Sequence, residues 1–461
     1  MLLLDEKLGL TYNVHETGLR LFKDERLYKE VPVKEMIGCI VFQSEGARSK
    51  LKLEVYYFEK KMVEYNKFGP NKIESRKIKT LNLFNNNIDT LKSLKKRIME
   101  QMYKSQKEVY TRRYNEEDRL YYYKKALVFV NPNSGKGKGL EIYDKYSKFL
   151  KANGILLEKV ETKPDKFVEN LVKEMPKAKL IEFDLVICIS GDGTPHEILN
   201  GYMKRIDIDF DKERITLAQL PAGSGCALLE NCMKYSNKEW SLENALHAIC
   251  HMNRKAFNTS VYSYLTNDKR KGEIWSFLSL SYGYIADVDI YSEKLRWLGR
   301  ARFDVYGAFK MLKLNTYRTV IYTQKEGEIS LPDIETPINE ESFNVNKENL
   351  YMFLSMDLPF ISSDYRAAPS LKDFPVDTCN LQTYEKQKGR WNFVKLMLNH
   401  EAINPEIKDY GLKFTNVKEF RLILEDNEKK KNIVIDGETY KSEKIKAIQM
   451  NKTDRSYYTL V

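Results

Sequence analysis

The first candidate for chemistry is a carboxylate held in a glycine turn. Asp192 lies in Ser190-Gly191-Asp192-Gly193, directly after an apolar run, 185–189, of the kind a buried parallel strand needs. Thr194 suits an N-cap, Pro195 the first helical position, and Glu197 stands three residues past that cap, as in a capping box. The stretch 183–201 therefore reads as strand, glycine turn, helix. Backbone N–H groups and a helix N-terminus favour phosphate at such a turn. A carboxylate there needs a cation or a proton to handle. A lone G-D-G is often just a turn, but two more stretches repeat the pattern. ALVFVNPNSGKGKG, 126–139, and ITLAQLPAGSGCALL, 215–229, also run from an apolar strand into a glycine turn. Three such turns would line the carboxyl edge of one parallel sheet, where open α/β folds bind ligands. No GxxxxGK[ST] is present, and Leu140 falls where the third glycine of GxGxxG belongs, which excludes a P-loop and a dinucleotide fingerprint.

The elements that must position these turns follow from periodicity. Strand and helix alternate from 124 to 258, with helices expected at 140–153, 165–175 and 240–250, which predicts a parallel α/β domain. Ahead of it, 1–115 holds strand-like runs at 10–14, 38–42, 51–58 and 78–84 and an amphipathic helix at 88–103. Strands closed by one helix predict a small β-barrel of the pleckstrin-homology type. Behind it, 259–461 carries strand-like runs at 261–265, 273–280, 319–323, 350–355, 380–384, 417–424, 432–435 and 444–450, with helices at 292–311 and 391–399. That pattern predicts an antiparallel β-sandwich. The polar stretch 325–347 reads as a flexible insertion.

Composition bounds the partners. The 461 residues carry a net charge of +11, which favours an anionic partner. Zinc spacing and aromatic RNA-binding patterns are both lacking, so nucleic acid is not expected. No apolar run approaches the roughly 18 residues of a membrane span, and MLLLDEKLGL does not read as a signal peptide. Six scattered cysteines predict reduced thiols and a cytoplasmic protein. Lys60, Lys61, Lys95, Lys96 and Arg97 could meet anionic lipid at a membrane surface, or form a solvated face.

NPNSGKGKG, SGDGTPHEILNG and LPAGSGCALL together resemble the nucleotide loops of the diacylglycerol kinase/sphingosine kinase catalytic domain. SLSYGYIADVDIYSEKLRWLGRARF, 279–303, resembles the substrate-side motif of sphingosine kinases. The likeness runs from about 125 to about 449. It implies an ATP-dependent kinase acting on the primary hydroxyl of a sphingoid base, the second domain binding lipid. It implies Asp192 as the catalytic residue, with Glu438 of Asp436-Gly437-Glu438 as the other candidate base. Asn131, Pro132, Asn133, Thr162, Glu197, Gly223, Ser224, Gly225, Arg296, Arg302, Asp436, Gly437 and Glu438 are the implied nucleotide contacts. Ser190, Gly191, Asp192, Ser279 and Asp289 are the implied substrate contacts, Asp289 pairing with the base's ammonium. Asp436 and Glu438 would hold Mg2+ through water. Asn133 departs from the family, many members of which carry a basic residue there.

Other readings compete. A nicotinamide-nucleotide kinase also uses GDG, but IADVDIYSEK and LPAGSGCALL speak against it. A ceramide or diacylglycerol kinase shares the arrangement. An inactive lipid-binding adaptor would not need Asp192, Arg296, Arg302, Asp436 and Glu438 together. His196 reads as a structural histidine, having no Ser, Cys or metal partner evident in the sequence. Asp436-Gly437 alone could be an ordinary hairpin turn.

Overall fold

The computed structural model describes residues 3–5, 10–23, 26–43, 51–64, 72–85, 87–104, 113–115, 120–223, 225–299, 301–325, 329–362, 366–371, 377–398, 410–425, 432–441 and 445–461. Four parallel strands form the α/β part, in the spatial order Ile155–Glu161, Lys124–Val130, Leu185–Ser190, Thr216–Pro221. Every residue of Leu185–Ser190 and Thr216–Pro221 is buried, which explains why both read as largely apolar runs rather than alternating ones. Helices Gly139–Ala152, Phe167–Glu174, Gly193–Met203, Ala227–Tyr235 and Leu242–His251 connect or flank these strands. Ser241 caps the last of them through its side chain.

The same sheet continues into the C-terminal part. The last strand, Ile445–Leu460, pairs parallel with Thr216–Pro221 and antiparallel with Arg254–Thr266 and Glu419–Leu424. The strand expected at 444–450 thus runs on to complete the parallel sheet. Arg254–Thr266 is one strand across the expected 258/259 boundary. The architecture is an α/β fold on a mixed sheet, with antiparallel strands ahead of it.

Two expectations for this part change. The run 273–280 is two strands, Lys271–Ser276 and Ser279–Gly283, because the backbone between them turns to donate to a side chain described below. Of the stretch 325–347, expected to be a flexible insertion, residues 326–328 lie outside the described residues and 329–347 are packed. Arg421 gathers the carbonyls of Pro332, Asp333 and Thr336 at 2.6–2.9 Å, the Leu331 N–H donates to Glu419 Oε1 at 2.7 Å, and the strand Phe343–Met356 begins within the stretch.

The N-terminal part holds a four-stranded and a three-stranded antiparallel sheet. Its helix, Ile88–Lys104, buries Leu91, Leu94, Ile98, Met99 and Met102. Strands Gly18–Lys23 and Arg26–Pro32 escaped the sequence reading, since their polar residues dilute the alternation. This part is docked on the α/β part. Ile37, Tyr56 and Phe58 belong to the same apolar core as the parallel strands. Buried Arg76 donates to Glu35, Glu74 and Asn244 Oδ1. Asn153 Nδ2 donates to the Ile37 carbonyl at 2.7 Å, and His247 Nε2 lies 3.1 Å from that of Lys34.

Candidate functional site

The three glycine turns meet at the carboxyl edge of the parallel strands. The Asn131 N–H donates to Ile189 and the Thr162 N–H to Val130, so the first turn, the end of the neighbouring strand and the Asp192 turn are tied together. Asn131 Oδ1 accepts from the Asn133 N–H at 3.0 Å, closing the turn through Pro132. Two glycines are required by close approach. A Cβ on Gly223 would lie 2.6 Å from the Gly191 Cα, and one on Gly135 only 1.9 Å from the Ala222 carbonyl oxygen. Gly225 lies beside the Asp192 carboxylate. Ser224 lies outside the described residues.

The helix after the turn begins at Gly193, with Asp192 in the capping position, rather than at Thr194-Pro195. Asp192 does not cap its own helix. Its Oδ2 accepts from the Ala227 N–H at 2.9 Å and Oδ1 from the Leu228 N–H at 3.4 Å, at the N-terminus of Ala227–Tyr235. That helix end supplies the counter-dipole a carboxylate in the turn requires. Burial nevertheless pushes Asp192 up to about 6; the two N–H donors oppose the rise and Asp436 adds to it. Gln219, absent from the sequence reading, braces the loop: its Nε2 donates to the Gly191 carbonyl at 3.0 Å and its Oε1 accepts from the Leu229 N–H. Ser190 is buried and its hydroxyl donates to the Gly191 carbonyl, so it faces the loop's own backbone.

Glu197 forms no capping box. Its Oε2 accepts from the Val168 and Glu169 N–H groups at 2.9 and 3.3 Å, capping the neighbouring helix Phe167–Glu174. Burial raises its carboxyl in spite of those donors.

Opposite the turns stands the hairpin Asn432–Ile435, Glu438–Lys441. Asp436 and Gly437 form its turn, both at positive φ, +52° and +82°. Asp436 also does more than turn the chain. Its carboxylate, 1% exposed, accepts from Ser276 Oγ at 2.6 Å, from the Phe277, Leu278 and Ser279 N–H groups at 3.2, 2.9 and 3.0 Å, and lies 2.8 Å from His196 Nδ1. This capture splits the strand expected at 273–280. With five donors, Asp436 has no oxygen left to offer a metal or nucleotide directly. Ser279 is buried and its N–H serves Asp436.

Glu438 has the opposite character. Its side chain reaches solvent, and its Oε1 sits so close over Gly193 that a Cβ there would lie 2.3 Å away. Crowding by surrounding atoms raises its carboxyl, with Glu197, Asp436 and Glu293 adding to the effect. Gly437 is exposed in the turn.

The substrate-side motif is not one helix from 292. Helix Tyr284–Ser292 is followed by a 3-10 turn, Glu293–Leu298, a break at Gly299 with φ +61°, and helix Ala301–Leu312. Asp289 therefore lies inside a helix, not ahead of one, and caps nothing. Burial pushes it up to about 6, Arg302 lowering it and Glu293 and Glu438 raising it. Arg302 donates to Glu293 and lies over the Phe303 ring. The side chain of Arg296 lies outside the described residues. Neighbouring Asp287 is buried and accepts from Lys310, Tyr317 and Asn432. It thus ties the Asp289 helix to the DGE hairpin.

The site therefore joins Asp192, Glu438 and Gly193, with Glu293, Asp289 and Arg302 beside Glu438. Asn131, Asn133 and Thr162 lie along the glycine edge. Among the described residues no three His, Cys, Asp or Glu side chains converge closely enough to hold a metal by themselves.

Residues 125–261 match the diacylglycerol kinase catalytic domain. Sphingosine kinase 1 of Arabidopsis thaliana is 32% identical over 227 residues, 49% of this chain and 44% of that protein. Sphingosine kinase 1 of Homo sapiens is 29% identical over 265 residues, covering 53% and 68%. Sphingoid long chain base kinase 5 of Saccharomyces cerevisiae is 32% identical over 209 residues, covering 44% and 28%. The chain thus spans less than half the length of the plant and yeast relatives. A solved Bacillus anthracis structure, a candidate diacylglycerol kinase, superposes with a TM-score of 0.52 at 17% identity, over 75% of this chain and 98% of its own. That likeness concerns the fold alone.

Proposed function

We propose that this chain is a member of the diacylglycerol kinase/sphingosine kinase family and an ATP-dependent lipid kinase phosphorylating the primary hydroxyl of a sphingoid base. The observation that carries this reading is the Asp192 carboxylate, raised to about 6 in a turn lined by glycine backbone. A carboxyl in that range is ionised at neutral pH yet basic enough to take a proton from an alcohol. Asn131, Pro132, Asn133, Thr162, Gly223 and Gly225 line the nucleotide. Glu197 already caps a helix, so it supports that edge from behind. Arg302 exchanges Glu293 for a phosphate oxygen when nucleotide arrives.

The donor chemistry fits Mg2+ at Glu438, a solvent-reaching carboxylate among other acidic groups, with nucleotide phosphates completing the shell. Asp436 supports it only from behind. When bound, the ion neutralises charge on the transferring phosphoryl group.

Asp289 pairs with the ammonium of the long-chain base. Its helix contributes Tyr284 and Val288 to an apolar cluster with Tyr351, Tyr384, Phe393 and Leu396, suited to an alkyl chain. We assign 1–115 to a domain of pleckstrin-homology type, 124–258 to nucleotide binding and 259–461 to a sandwich that binds lipid. The four- and three-stranded sheets with one helix support the first assignment. The protein acts in the cytoplasm at an anionic membrane surface; exposed Trp297, Phe309, Leu312 and Trp391, on or beside the substrate-side helices, support that contact.

Labelled-ATP transfer to sphingosine, dihydrosphingosine, phytosphingosine, ceramide and diacylglycerol tests this function. Transfer to the three free bases is expected. Preference for ceramide or diacylglycerol would overturn the substrate assignment, and transfer to none of the five would overturn the kinase.

A further inference from the structure

Helix Gly193–Met203 turns three positions toward the C-terminal part: Gly193, His196 and Asn200. They stand three and four residues apart, so they share one helix face. Gly193 leaves room for the Glu438 carboxylate. Asn200 grips the backbone of Trp275, donating to its carbonyl at 2.8 Å and accepting from its N–H at 3.0 Å. His196, 2% exposed, lies between them. Its Nδ1 is 2.8 Å from Asp436 Oδ2 and its Nε2 is 2.7 Å from the Tyr440 hydroxyl. A carboxylate bonded on every side only accepts, so Nδ1 carries the hydrogen and Nε2 accepts from Tyr440.

Glu438 stands between those two contacts, two residues after Asp436 and two before Tyr440. Glu438 and Tyr440 therefore point to the same face of their strand. Glu438 itself is open to solvent, so its place over Gly193 depends on the hairpin that carries it. Resting on the reading of this place as the phosphoryl-transfer site, we propose that His196 is a positioning residue that grips the DGE hairpin on both sides of Glu438 and holds its carboxylate over Gly193. A buried histidine satisfied at both nitrogens by residues some 240 positions away fixes the approach of two parts of the chain, where a leucine of similar size would only fill space.

The test is a double-mutant cycle joined to hydrogen exchange. His196→Leu should lower kcat by roughly 10–100-fold, the size typical when a supporting partner of an active group is lost, with little change in KM for ATP. His196→Leu combined with Glu438→Gln should be no slower than Glu438→Gln alone. His196→Leu combined with Arg302→Ala should lose the product of the two single effects. The amides of Phe277, Leu278 and Ser279, held by Asp436, should exchange faster in His196→Leu, while those of Ala227 and Leu228, held by Asp192, stay protected. His196→Asn, whose amide nitrogen can stand near Nδ1 and donate to Asp436, should recover part of the rate. If His196→Leu does not fold, His196→Asn and Tyr440→Phe carry the same cycle. Multiplying losses for His196 and Glu438, or unchanged exchange at 277–279, would overturn the proposal. The exchange arm stands even if wild type phosphorylates no lipid, which would overturn the kinase reading instead.

Discussion

Asp192 combines two duties in one carboxylate. It caps Ala227–Tyr235, and it stands above the ordinary carboxyl range. Asn can accept the Ala227 N–H, so Asp192→Asn should fold while losing about 10²–10⁴-fold in turnover, as for loss of a general base. Near-normal turnover in Asp192→Asn, with Glu438→Gln inactive, would move the base to Glu438. A base must be deprotonated to work, and Asp192 keeps its proton up to about 6. The rate should therefore fall as pH drops through about 6 and be level above it. A profile flat down to pH 5 would remove Asp192 from the proton transfer. Asp289, also near 6, should pair with ammonium only when ionised. Asp289→Asn is expected to depress activity on sphingosine strongly and leave ATP binding unchanged, measured by KM for each substrate. Equal activity of mutant and wild type on sphingosine would take Asp289 out of the lipid site.

At the scale of elements, the glycine loops work by touching one another. Gly223→Ala places a methyl 2.6 Å from the Gly191 Cα, backbone against backbone, where neither side can yield cheaply. It should raise KM for ATP and lower Tm together. An unchanged KM would separate the loop contact from nucleotide binding. The 329–336 segment depends on Arg421 in a comparable way. Arg421→Leu strands three carbonyls and Gln449, and should cost about 3 kcal/mol in unfolding free energy, read by denaturant titration. No measurable loss would mean that the segment stands without that guanidinium.

For the whole molecule, the N-terminal part is docked rather than appended. Hydrogen bonds at Lys34, Ile37, Glu74 and Arg76 cross to Asn153, just past helix Gly139–Ala152, to helix Leu242–His251 and to the turn at 237–239. Removing 1–114 would uncover that core and leave Asn153, Asn244 and His247 without their partners. The truncated protein is expected to aggregate or to melt well below the full chain, followed by light scattering with heating. A truncated protein of unchanged Tm would show the docking to be dispensable. Within the full chain, Arg76→Met leaves buried Glu35 unpaired and should cost about 3–5 kcal/mol.

The sequence by itself determined what local rules encode. Apolar runs and glycine turns located the parallel strands and their loops, because a strand buried on both faces is apolar along most of its length. The helix at Ile88–Lys104 was legible from its own local periodicity. The tertiary structure alone decided which carboxylate does what. Asp192, Glu197, Asp436 and Glu438 are chemically alike in sequence. Two of them cap helices remote in the chain, one is saturated by five donors, and one reaches solvent. Nor could local patterns reveal that the last strand would return to the first sheet, or that His196 would meet Asp436 and Tyr440. Those contacts join residues more than 200 positions apart. Hydrogen-bond partners at that separation are set by how the sheets pack, and no pattern along the chain carries that information.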